Sequence, residues 1–544
     1  MDGIACRRYL TQFDTRALPL RWAEVLVLGS GVAGLSAALE AAEHTTVLVA
    51  TKSQAQESNT YYAQGGIAGV LRPDEGGDSY DRHAEDTAVA GVGLCDPEVV
   101  RLVVTEATAA IERLIEMGAQ FDQAPDGSIA LTQEGGHSAK RILHATGDAT
   151  GREIERTLLE RARAHPRIRF LEHAFAVDLI TSNGECQGAL VWDHNQGLQL
   201  VAARATVLAA GGAGRIFRET TNPAVATGDG LAMAYRAGAA LVDLEFMQFH
   251  PTTLYIAGAS RHLLTEALRG EGAHLVDSDG ARFMPDVHPM AELAPRDVVA
   301  RAIVHRLRAR GVRGVFLTLR HKDADAMRSR FPGIERICRS YGIDFTQDLV
   351  PVRPSAHYTI GGVRVDLTGA TTIPRLFAVG EVSCSGLHGA NRLGSNSLLE
   401  GLVFGRRAGA AAAAIAEESL GGVARLPLEA SESAPSRRVE IDIADMAASL
   451  RAEAWRHLAI ERDGPGLEEA AERMAFWASY VLDEVFAGPR GWELQNLITI
   501  ANLMARAAIW REESRGAHHR LDFPDRDDER FGVHSELTRP GGAA

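Results

Sequence analysis

The amino-acid sequence predicts an α/β protein in which a Rossmann-like domain is interrupted by an α+β insert and followed by a C-terminal helical bundle. Three observations predict this fold: a glycine-rich turn near residue 30, two later strands that end in glycine, and amphipathic segments beyond residue 440. A chain of 544 residues is too long for one hydrophobic core, so we expect two or three domains.

The glycine-rich turn lies between an apolar strand pattern and an Ala/Leu helix pattern, within Glu24–Leu39. In its G-x-G-x-x-G spacing, Gly29 makes the tight turn, Gly31 lets the backbone approach a pyrophosphate, and Gly34 lets helix and strand pack closely. The helix N-terminus then faces the phosphates. A glycine turn that serves packing alone is the alternative, and the flanking strand and helix favour dinucleotide binding.

A second strand pattern, Thr46–Ala50, follows and leads to Lys52. An ordinary NAD site carries an acidic residue near the end of this strand, where it holds a ribose. Ala50 and Thr51 occupy that place, which argues against an ordinary NAD site.

Two later strand patterns continue the same domain. Ala205–Ala210 is followed by two glycines, and Leu376–Val379 is followed by Gly380 and Glu381. Both are typical of parallel strands that end at a ligand-binding edge. Roughly 170 residues separate them, so we expect an inserted domain, which includes a helix pattern over Pro295–Arg310.

Composition divides the remaining chain. Residues 417–436 are rich in Gly, Pro, Ser and Glu and are predicted to form a linker. Apolar residues at helical spacing then predict helices over residues 441–458, 467–486 and 491–513. The predicted domains are the first part of the dinucleotide-binding domain at 1–243, the insert at 244–352, the second part at 353–416, the linker at 417–436 and the helical domain at 437–544.

Charge and composition limit the classes of partner that the protein is expected to bind. A net charge of −14 and a pI near 5.8 give no reason to expect nucleic acid or an anionic membrane as a partner. No apolar run is long enough to span a membrane, and the first 24 residues contain no apolar signal core. Five scattered cysteines without C-x-x-C spacing predict reduced thiols, no metal site and a cytoplasmic location.

Seven ordered motifs resemble the flavoprotein superfamily of succinate dehydrogenase and fumarate reductase and, within it, the branch of L-aspartate oxidases. The resemblance covers residues from about 24 to 415 and returns near 513. Its motifs are Asn59–Ile67, Glu245–Thr252, Leu264–Gly272, Ala294–Asp297, His357–Gly362, Leu387–Leu398 and Glu513–His518. The resemblance implies an FAD-binding domain, a capping domain that covers the substrate, and a C-terminal helical domain.

Two positions favour the L-aspartate oxidase branch. The membrane-complex flavoproteins of the superfamily carry a histidine that bonds covalently to FAD, and Asn59 stands at that position. The cofactor implied is therefore non-covalent FAD. The loop Leu131–His144 resembles the one in which aspartate oxidases place a glutamate, here Glu134, near the substrate ammonium. A solvated loop carboxylate is the alternative interpretation of Glu134.

The resemblance also implies the substrate site. Planar guanidinium groups bind carboxylates in pairs of hydrogen bonds, so two arginines suit a dicarboxylate. Arginine keeps its proton in nearly every setting, and we therefore expect its role to be mainly electrostatic. The alternatives are surface ion pairs for the arginines and structural roles for the histidines. The catalytic candidates are Arg296, His250 and Glu134, and the substrate-binding candidates are Gln248, Thr265, Glu266, His357 and Arg392.

The FAD contacts follow in the same way. Asp229 and Glu381 are expected to bind hydroxyl groups, and the helix that begins near residue 396 is expected to favour negative charge on the reduced ring. The full set is Gly29, Ser30, Gly31, Val32, Ala33, Gly34 and Lys52 near the pyrophosphate; Asn59, Thr60, Tyr61, Tyr62, Ala63, Gln64, Gly65 and Gly66 over the ring; and Asp229, Glu381, Asn396, Ser397 and Leu398.

The activity implied is FAD-dependent oxidation of L-aspartate to 2-iminosuccinate, with O₂ giving H₂O₂ or fumarate giving succinate. This is the first step of de novo NAD biosynthesis through quinolinate, and quinolinate synthase is a candidate transient partner. A soluble flavoprotein subunit of fumarate reductase or succinate dehydrogenase is one alternative, and a non-catalytic FAD-binding scaffold is another. Retention of all the candidate substrate groups argues against the scaffold.

Overall fold

The computed structural model describes residues 3–73, 77–259, 261–310, 314–418, 428–432 and 440–540. Its helices of seven residues or more are Val32–Ala42, Tyr80–Ala90, Pro97–Glu116, Thr150–Ala164, Asp229–Ala237, Arg296–Arg310, Ala324–Arg330, Pro332–Ser340, Asn396–Glu418, Ile443–His457, Gly464–Val481 and Pro489–Trp510. Two single-turn helices, Ala267–Gly270 and Asp528–Phe531, complete the set of α-helices among the described residues.

A seven-stranded sheet forms the centre of the molecule. Its strands lie in the order Ile168–Leu171, Val47–Ala50, Leu20–Leu28, Gly197–Leu208, Glu185–Asp193 and Ala174–Ser182, and Leu376–Ala378 pairs with Gly197–Leu208. The strands predicted from sequence pair in parallel. The strand predicted at residue 205 begins eight residues earlier, because its first half pairs antiparallel with Glu185–Asp193.

The predicted ligand edge is confirmed by the register of this sheet. Leu28 pairs with Ala50 on one side and with Leu208 on the other, and Leu208 pairs with Ala378. Four parallel strands therefore end at one level. The glycine turn, Lys52 and Glu381 all follow these strand ends directly, which is why residues 350 positions apart in sequence meet at one edge.

Two helices are packed closely at this edge. Helix Asn396–Glu418 lies against helix Val32–Ala42, and three glycines at four-residue spacing, Gly401, Gly405 and Gly409, permit the contact. A Cβ at any of them would collide with atoms of the other helix. Both helices begin beside the strand ends, so two N-termini face the same region.

The insert is built on an antiparallel sheet in the order Met247–Leu254, Val350–Thr359, Val315–Thr318 and His274–Val276. Its first and last strands in sequence are neighbours, so the chain leaves and re-enters the main domain at one place. Helix Arg296–Arg310, predicted from residue 295, packs on Met247–Leu254. The strand Val350–Thr359 continues through residue 352, the predicted end of the insert.

Three short sheets join these layers. The first contains Leu241–Val242, Gly362–Arg364, Ser383–Cys384 and Glu536–Leu537; the second contains Ile67–Ala68, Leu131–Thr132 and Ile142–Leu143; and the third pairs Phe13–Asp14 with Ala430–Ser431. Of this last pair, Ala430–Ser431 lies inside the predicted linker, most of which, at 419–427 and 433–436, is outside the described residues.

The C-terminal helical bundle is confirmed, with helices Ile443–His457, Gly464–Val481 and Pro489–Trp510 within a few residues of their predicted bounds. Asp442 and Asp463 cap the first two by accepting backbone N–H groups, and proline begins the third. In the part of the chain that the structure describes, no helix has the length and apolar character needed to cross a membrane.

Candidate active site

A cavity of about 510 Å³ runs along the ligand edge and ends beside the insert. Most of the predicted cofactor residues line it: Gly29, Ser30, Gly31, Val32, Ala33, Lys52, Asn59, Thr60, Tyr61, Tyr62, Ala63, Gln64, Asp229, Glu381, Ser397 and Leu398. Gly34, Gly65, Gly66 and Asn396 are not among its lining residues. Its volume lies in the range typical of cofactor sites.

The glycine turn forms a cradle at this cavity. Gly29 has a φ of +115°, and a Cβ there would collide with the carbonyl oxygen of Ala209. A Cβ at Gly34 would collide with the carbonyl of Gly29, so Gly34 serves the packing of helix on strand. Gly31 is the N-cap of helix Val32–Ala42 and provides no capping side chain. The Val32 N–H donates to Thr60 Oγ1 at 3.1 Å, and the next N–H groups of the first turn are the ones available to an anion.

One end of the cavity is held by a network that sequence analysis found only in part. The Lys52 ammonium donates to Asp229 at 2.6 Å and to Glu493 at 2.9 Å. Burial alone would lower the pKa of Lys52, but the two carboxylates raise it. Asn496 donates to Asp229 at 2.8 Å. Glu493 and Asn496 come from the C-terminal helix Pro489–Trp510, and no motif marks them in sequence.

The middle of the cavity presents unpartnered polar atoms. Asn59 Nδ2 donates to Glu381 Oε2 at 2.7 Å, and the Thr359 N–H donates to Glu381 Oε1 at 3.0 Å. Burial raises the pKa of Glu381. Asn59 Oδ1 and Gln64 Oε1 are buried without a hydrogen-bond partner among the described residues. Buried acceptors of this kind are normally satisfied, so they suit the hydroxyl and ring N–H donors of a flavin nucleotide.

The other end of the cavity reaches Arg392 and His357, behind which the predicted substrate residues form one buried cluster. Gln248 Oε1 accepts from Arg296 Nη1 at 3.1 Å and from Arg392 Nε at 3.2 Å. Arg296 Nε donates to Glu266 Oε2 at 2.6 Å. The insert supplies Gln248, Glu266 and Arg296, whereas Arg392 belongs to the main domain. The substrate region therefore lies where the two parts of the fold meet.

Glu134 is not a solvated loop carboxylate. Its side chain is 3 % exposed, and Oε2 accepts from Ser395 Oγ at 2.8 Å. A Cβ built on Gly394 would lie 3.5 Å from both Glu134 Oε2 and Glu266 Oε2 and 3.2 Å from Arg296 Nη2. The loop carboxylate thus faces the same small space as Arg296.

The two glutamates of this cluster titrate differently. Burial and the nearby Glu266 raise the pKa of Glu134. Burial would raise the pKa of Glu266 as well, but the Arg296 and Arg269 guanidinium groups lower it. Neighbouring carboxyl groups whose pKa values are pushed apart are typical of catalytic sites.

The histidines and Thr265 complete the predicted set. The rings of His250 and His357 lie 5.3 Å apart, and burial and the neighbouring arginines lower both pKa values well below 6.5. Both rings are therefore neutral at physiological pH. His357 Nδ1 lies 2.9 Å from Thr221 Oγ1. Thr265 is buried next to Glu266, and its hydroxyl accepts the Ala267 N–H at 3.3 Å.

Two residues of the cluster were missed at the sequence level. Arg269 is buried, its Nη2 lies 3.4 Å from Glu266 Oε1, and its Nε and Nη2 have no hydrogen-bond partner in the described part of the chain. The Tyr358 ring lies under the Arg392 guanidinium at 4.3 Å, and Tyr358 donates to Glu400 at 3.2 Å. Both residues lie inside the motifs named above, but the sequence does not show which side chains they contact.

The strand ends, the glycine cradle and the capping insert together define a dinucleotide-binding protein with a buried anion site. Comparison with known proteins agrees. A family model described as FAD binding domain matches residues 24–398, and one described as fumarate reductase flavoprotein C-term matches residues 489–542.

Curated relatives and solved structures extend this result. The L-aspartate oxidase of Streptomyces coelicolor is 45 % identical over 93 % of this chain and 90 % of its own length, and that of Yersinia pestis is 45 % identical over 92 % and 96 %. The structure of Escherichia coli quinol fumarate reductase is 32 % identical with a TM-score of 0.87 and covers 97 % of this chain and 96 % of that one. The chain therefore belongs to the L-aspartate oxidases, a branch of the succinate dehydrogenase and fumarate reductase flavoprotein superfamily.

The cofactor is FAD. Asn59 occupies the position of the linking histidine of the covalent members and hydrogen-bonds to Glu381, so no side chain is available there for a covalent bond. The cavity, its glycine cradle and its unpartnered acceptors fit this group.

Proposed function

We propose that this protein oxidises L-aspartate to 2-iminosuccinate and passes the electrons to O₂, giving H₂O₂, or to fumarate, giving succinate. One observation carries the proposal: the carboxylate of a buried glutamate, Glu134, lies with Oε2 in the same small space as Arg296 Nη2. A plain C4 dicarboxylate has no cation to pair with that carboxylate, whereas aspartate carries an ammonium.

Charge balance supports the same substrate. Around Gln248, the three arginines Arg296, Arg392 and Arg269 face the two glutamates Glu134 and Glu266. With both glutamates ionised the cluster has one positive charge in excess, which matches the single negative charge of aspartate better than the two of succinate. Buried charges are stable only when they are paired, so the match favours aspartate.

The residues divide the work as follows. Arg392 and Arg296 bind the two carboxylates, His250 and His357 offer neutral ring N–H groups, and the Glu134 carboxylate accepts from the ammonium. Bound FAD supplies the redox chemistry, taking two electrons from the substrate carbon and returning them to the acceptor. Glu266 keeps Arg296 in place through their ion pair at 2.6 Å, so that in the fumarate direction Arg296 is positioned to deliver a proton to carbon.

The proposal includes a metabolic place that follows from family membership. The protein would catalyse the first step of de novo NAD biosynthesis through quinolinate, in the cytoplasm, with quinolinate synthase as a transient partner that consumes the iminosuccinate. The competing function is a soluble fumarate reductase or succinate dehydrogenase subunit, which the chain also resembles in fold.

Anaerobic mixing separates the two functions. The holoprotein is mixed with L-aspartate and, separately, with succinate, and the flavin absorbance is followed. We expect aspartate to bleach the flavin rapidly and succinate to bleach it much more slowly. Bleaching by succinate alone would establish the dehydrogenase function instead. Acid precipitation of the same sample should release the FAD into the supernatant, and flavin retained in the pellet would show a covalent bond.

A further inference from the structure

Ser395 has a backbone conformation that needs outside support. Its φ is +64°, in the left-handed region that a residue with a Cβ seldom occupies. Its hydroxyl donates to Glu134 Oε2 at 2.8 Å, and its carbonyl accepts the Ala68 N–H at 3.1 Å. A strained residue therefore makes the hydrogen bond that orients the buried glutamate.

A buried histidine holds the residue before Ser395. His137 Nδ1 lies 3.1 Å from Arg141 Nη1, and arginine can only donate, so the proton of the neutral ring is on Nε2. His137 Nε2 then donates to the Gly394 carbonyl at 3.0 Å. Burial lowers the pKa of His137 to about 4, so this tautomer persists at physiological pH. Arg141 is held in turn by Asp78, whose Oδ1 accepts from Arg141 Nη2 at 2.6 Å.

A second buried histidine holds the residue after Ser395. The Thr87 hydroxyl donates to the His83 carbonyl at 2.8 Å, so it accepts from Asn396 Nδ2, at 3.0 Å. This leaves Asn396 Oδ1 to accept from His83 Nε2 at 2.9 Å. Burial lowers the pKa of His83 to about 3. Both neighbours of Ser395 are thus fixed by neutral histidine donors.

We propose that Ser395 is a positioning residue that selects for an ammonium-bearing substrate. Its hydroxyl donates to Oε2 of Glu134, the oxygen that lies in the same small space as Arg296 Nη2, and this hydrogen bond holds the carboxylate where it can meet the substrate cation. His137 and His83 maintain the conformation that aims this hydroxyl. The inference rests on the proposed function, because it requires Glu134 to meet the ammonium of aspartate.

Two substitutions separate the hydroxyl from the backbone strain. Ser395→Ala removes the hydroxyl and keeps a Cβ at positive φ, whereas Ser395→Gly removes both. For each holoprotein we would measure kcat/KM for L-aspartate oxidation, kcat/KM for fumarate reduction by a chemical reductant, and the thermal midpoint. We expect both variants to lose about ten- to one-hundredfold in aspartate oxidation, with fumarate reduction changed by about twofold or less because fumarate has no cation.

A second pair of substitutions tests whether His137 maintains the conformation of Ser395. His137→Gln retains an N–H that can donate to the Gly394 carbonyl, and His137→Leu does not. We expect the leucine variant to lose aspartate oxidation selectively and the glutamine variant to recover most of it.

Equal losses in both reactions, or an unchanged ratio in both Ser395 variants, would overturn the inference while wild-type protein still oxidises aspartate. Failure of aspartate to bleach the wild-type flavin would overturn the proposed function itself. The glycine variant keeps the test decisive if Ser395→Ala fails to fold, since it relieves the strain.

Discussion

The glycine cradle and the cluster around Gln248 bind their ligands by opposite means. The cradle comes from one short segment, Gly29–Gly34, and works through missing side chains and open backbone N–H groups. The cluster comes from distant segments of two parts of the fold and works through buried charges. A site made of backbone is fixed by local sequence, whereas a site made of buried charges depends on every member of the set.

The difference has an energetic basis. Backbone dipoles are already oriented by the helix, so they lose little conformational freedom when a ligand binds. Buried ions are costly, and removing one partner leaves the other uncompensated, with a penalty of about 3–5 kcal/mol. Single-charge changes in the cluster should therefore act on substrates strongly and on FAD weakly, and small steric changes in the cradle should do the reverse.

Arg296→Gln should have the largest effect. It removes the ion pair with Glu266 and the guanidinium proposed to deliver a proton to the substrate carbon, so kcat/KM for aspartate and for fumarate should each fall by about a thousandfold or more. Steady-state kinetics and the FAD content of the purified protein check this. Arg308→Gln on the same helix is the control, since Arg308 forms an exposed surface pair with Glu461 and should change neither. Loss of FAD together with activity would mean that Arg296 is structural.

Arg392→Lys tests the carboxylate fork. Arg392 donates hydrogen bonds from Nε to Gln248 and from Nη1 to Ser397. A lysine ammonium cannot reproduce this planar arrangement. The KM for aspartate should rise by about a hundredfold, with FAD affinity changed far less. Arg407→Lys, whose residue pairs with Glu106 away from the site, is the matched control. Equal weakening of substrate and FAD would contradict the division between cradle and cluster.

Glu134→Gln sharpens the comparison within the cluster. Neutralising Glu134 removes the partner of the ammonium and should lower aspartate oxidation by some tens of fold. Fumarate reduction and succinate binding should remain largely intact, because those ligands carry no cation. The ratio of the two activities is the measurement. Parallel changes in both, or none in either, would show that Glu134 does not select the substrate.

The same contrast explains what the sequence could predict. Strand, turn and helix at Glu24–Leu39 are local patterns. The later strand patterns that end in glycine made the ligand edge predictable from the sequence. The substrate residues were assignable because each lies in a motif. Glu493 and Asn496 were not, since they contact Lys52 and Asp229 across 441 and 267 residues of sequence, and no local pattern encodes these contacts.

The burial of individual side chains was the second feature that the sequence could not predict. A glutamate beside two glycines is usually solvated, yet Glu134 is enclosed because Gly135 allows the loop to pack against Glu266. The left-handed Ser395 that holds it is an ordinary serine in the sequence. Partner choice and backbone strain at this position arise from tertiary packing alone.

Gly31→Ala should have a smaller effect, confined to the cofactor. The φ of Gly31 is −73°, which alanine adopts freely, and the added Cβ would lie 3.2 Å from Thr60 Oγ1. The protein should fold, with FAD affinity lowered about tenfold because the methyl group keeps the pyrophosphate from the backbone. Flavin fluorescence titration of the apoprotein checks this. Gly314→Ala, at a position with open space around it, should leave FAD affinity unchanged, and equal loss in both would contradict the cradle.

The smallest effect is a pH dependence that differs in sign between the two reactions. Burial and Glu266 raise the pKa of Glu134 above its ordinary 4.5. Below that pKa the carboxyl is protonated and cannot pair with the ammonium, so kcat/KM for aspartate should fall on acidification. Fumarate reduction should hold steady or rise, because a neutral Glu134 repels the dianion less.

Burial also raises the pKa of Glu381 at the same cavity, so the Glu134→Gln variant is needed to assign the acidic limb. His250 and His357 have pKa values well below 6.5, Glu266 is held ionised by its arginines, and the pKa of His144, 3.7 Å from Glu134, is lowered to about 3. The pKa of each of these groups is lowered from its ordinary value, whereas that of Glu134 is raised. The aspartate profile of Glu134→Gln should therefore lose its acidic limb and become parallel to the fumarate profile. A limb that persists in this variant would assign the titration to another group and remove the electrostatic basis for distinguishing aspartate from a plain dicarboxylate.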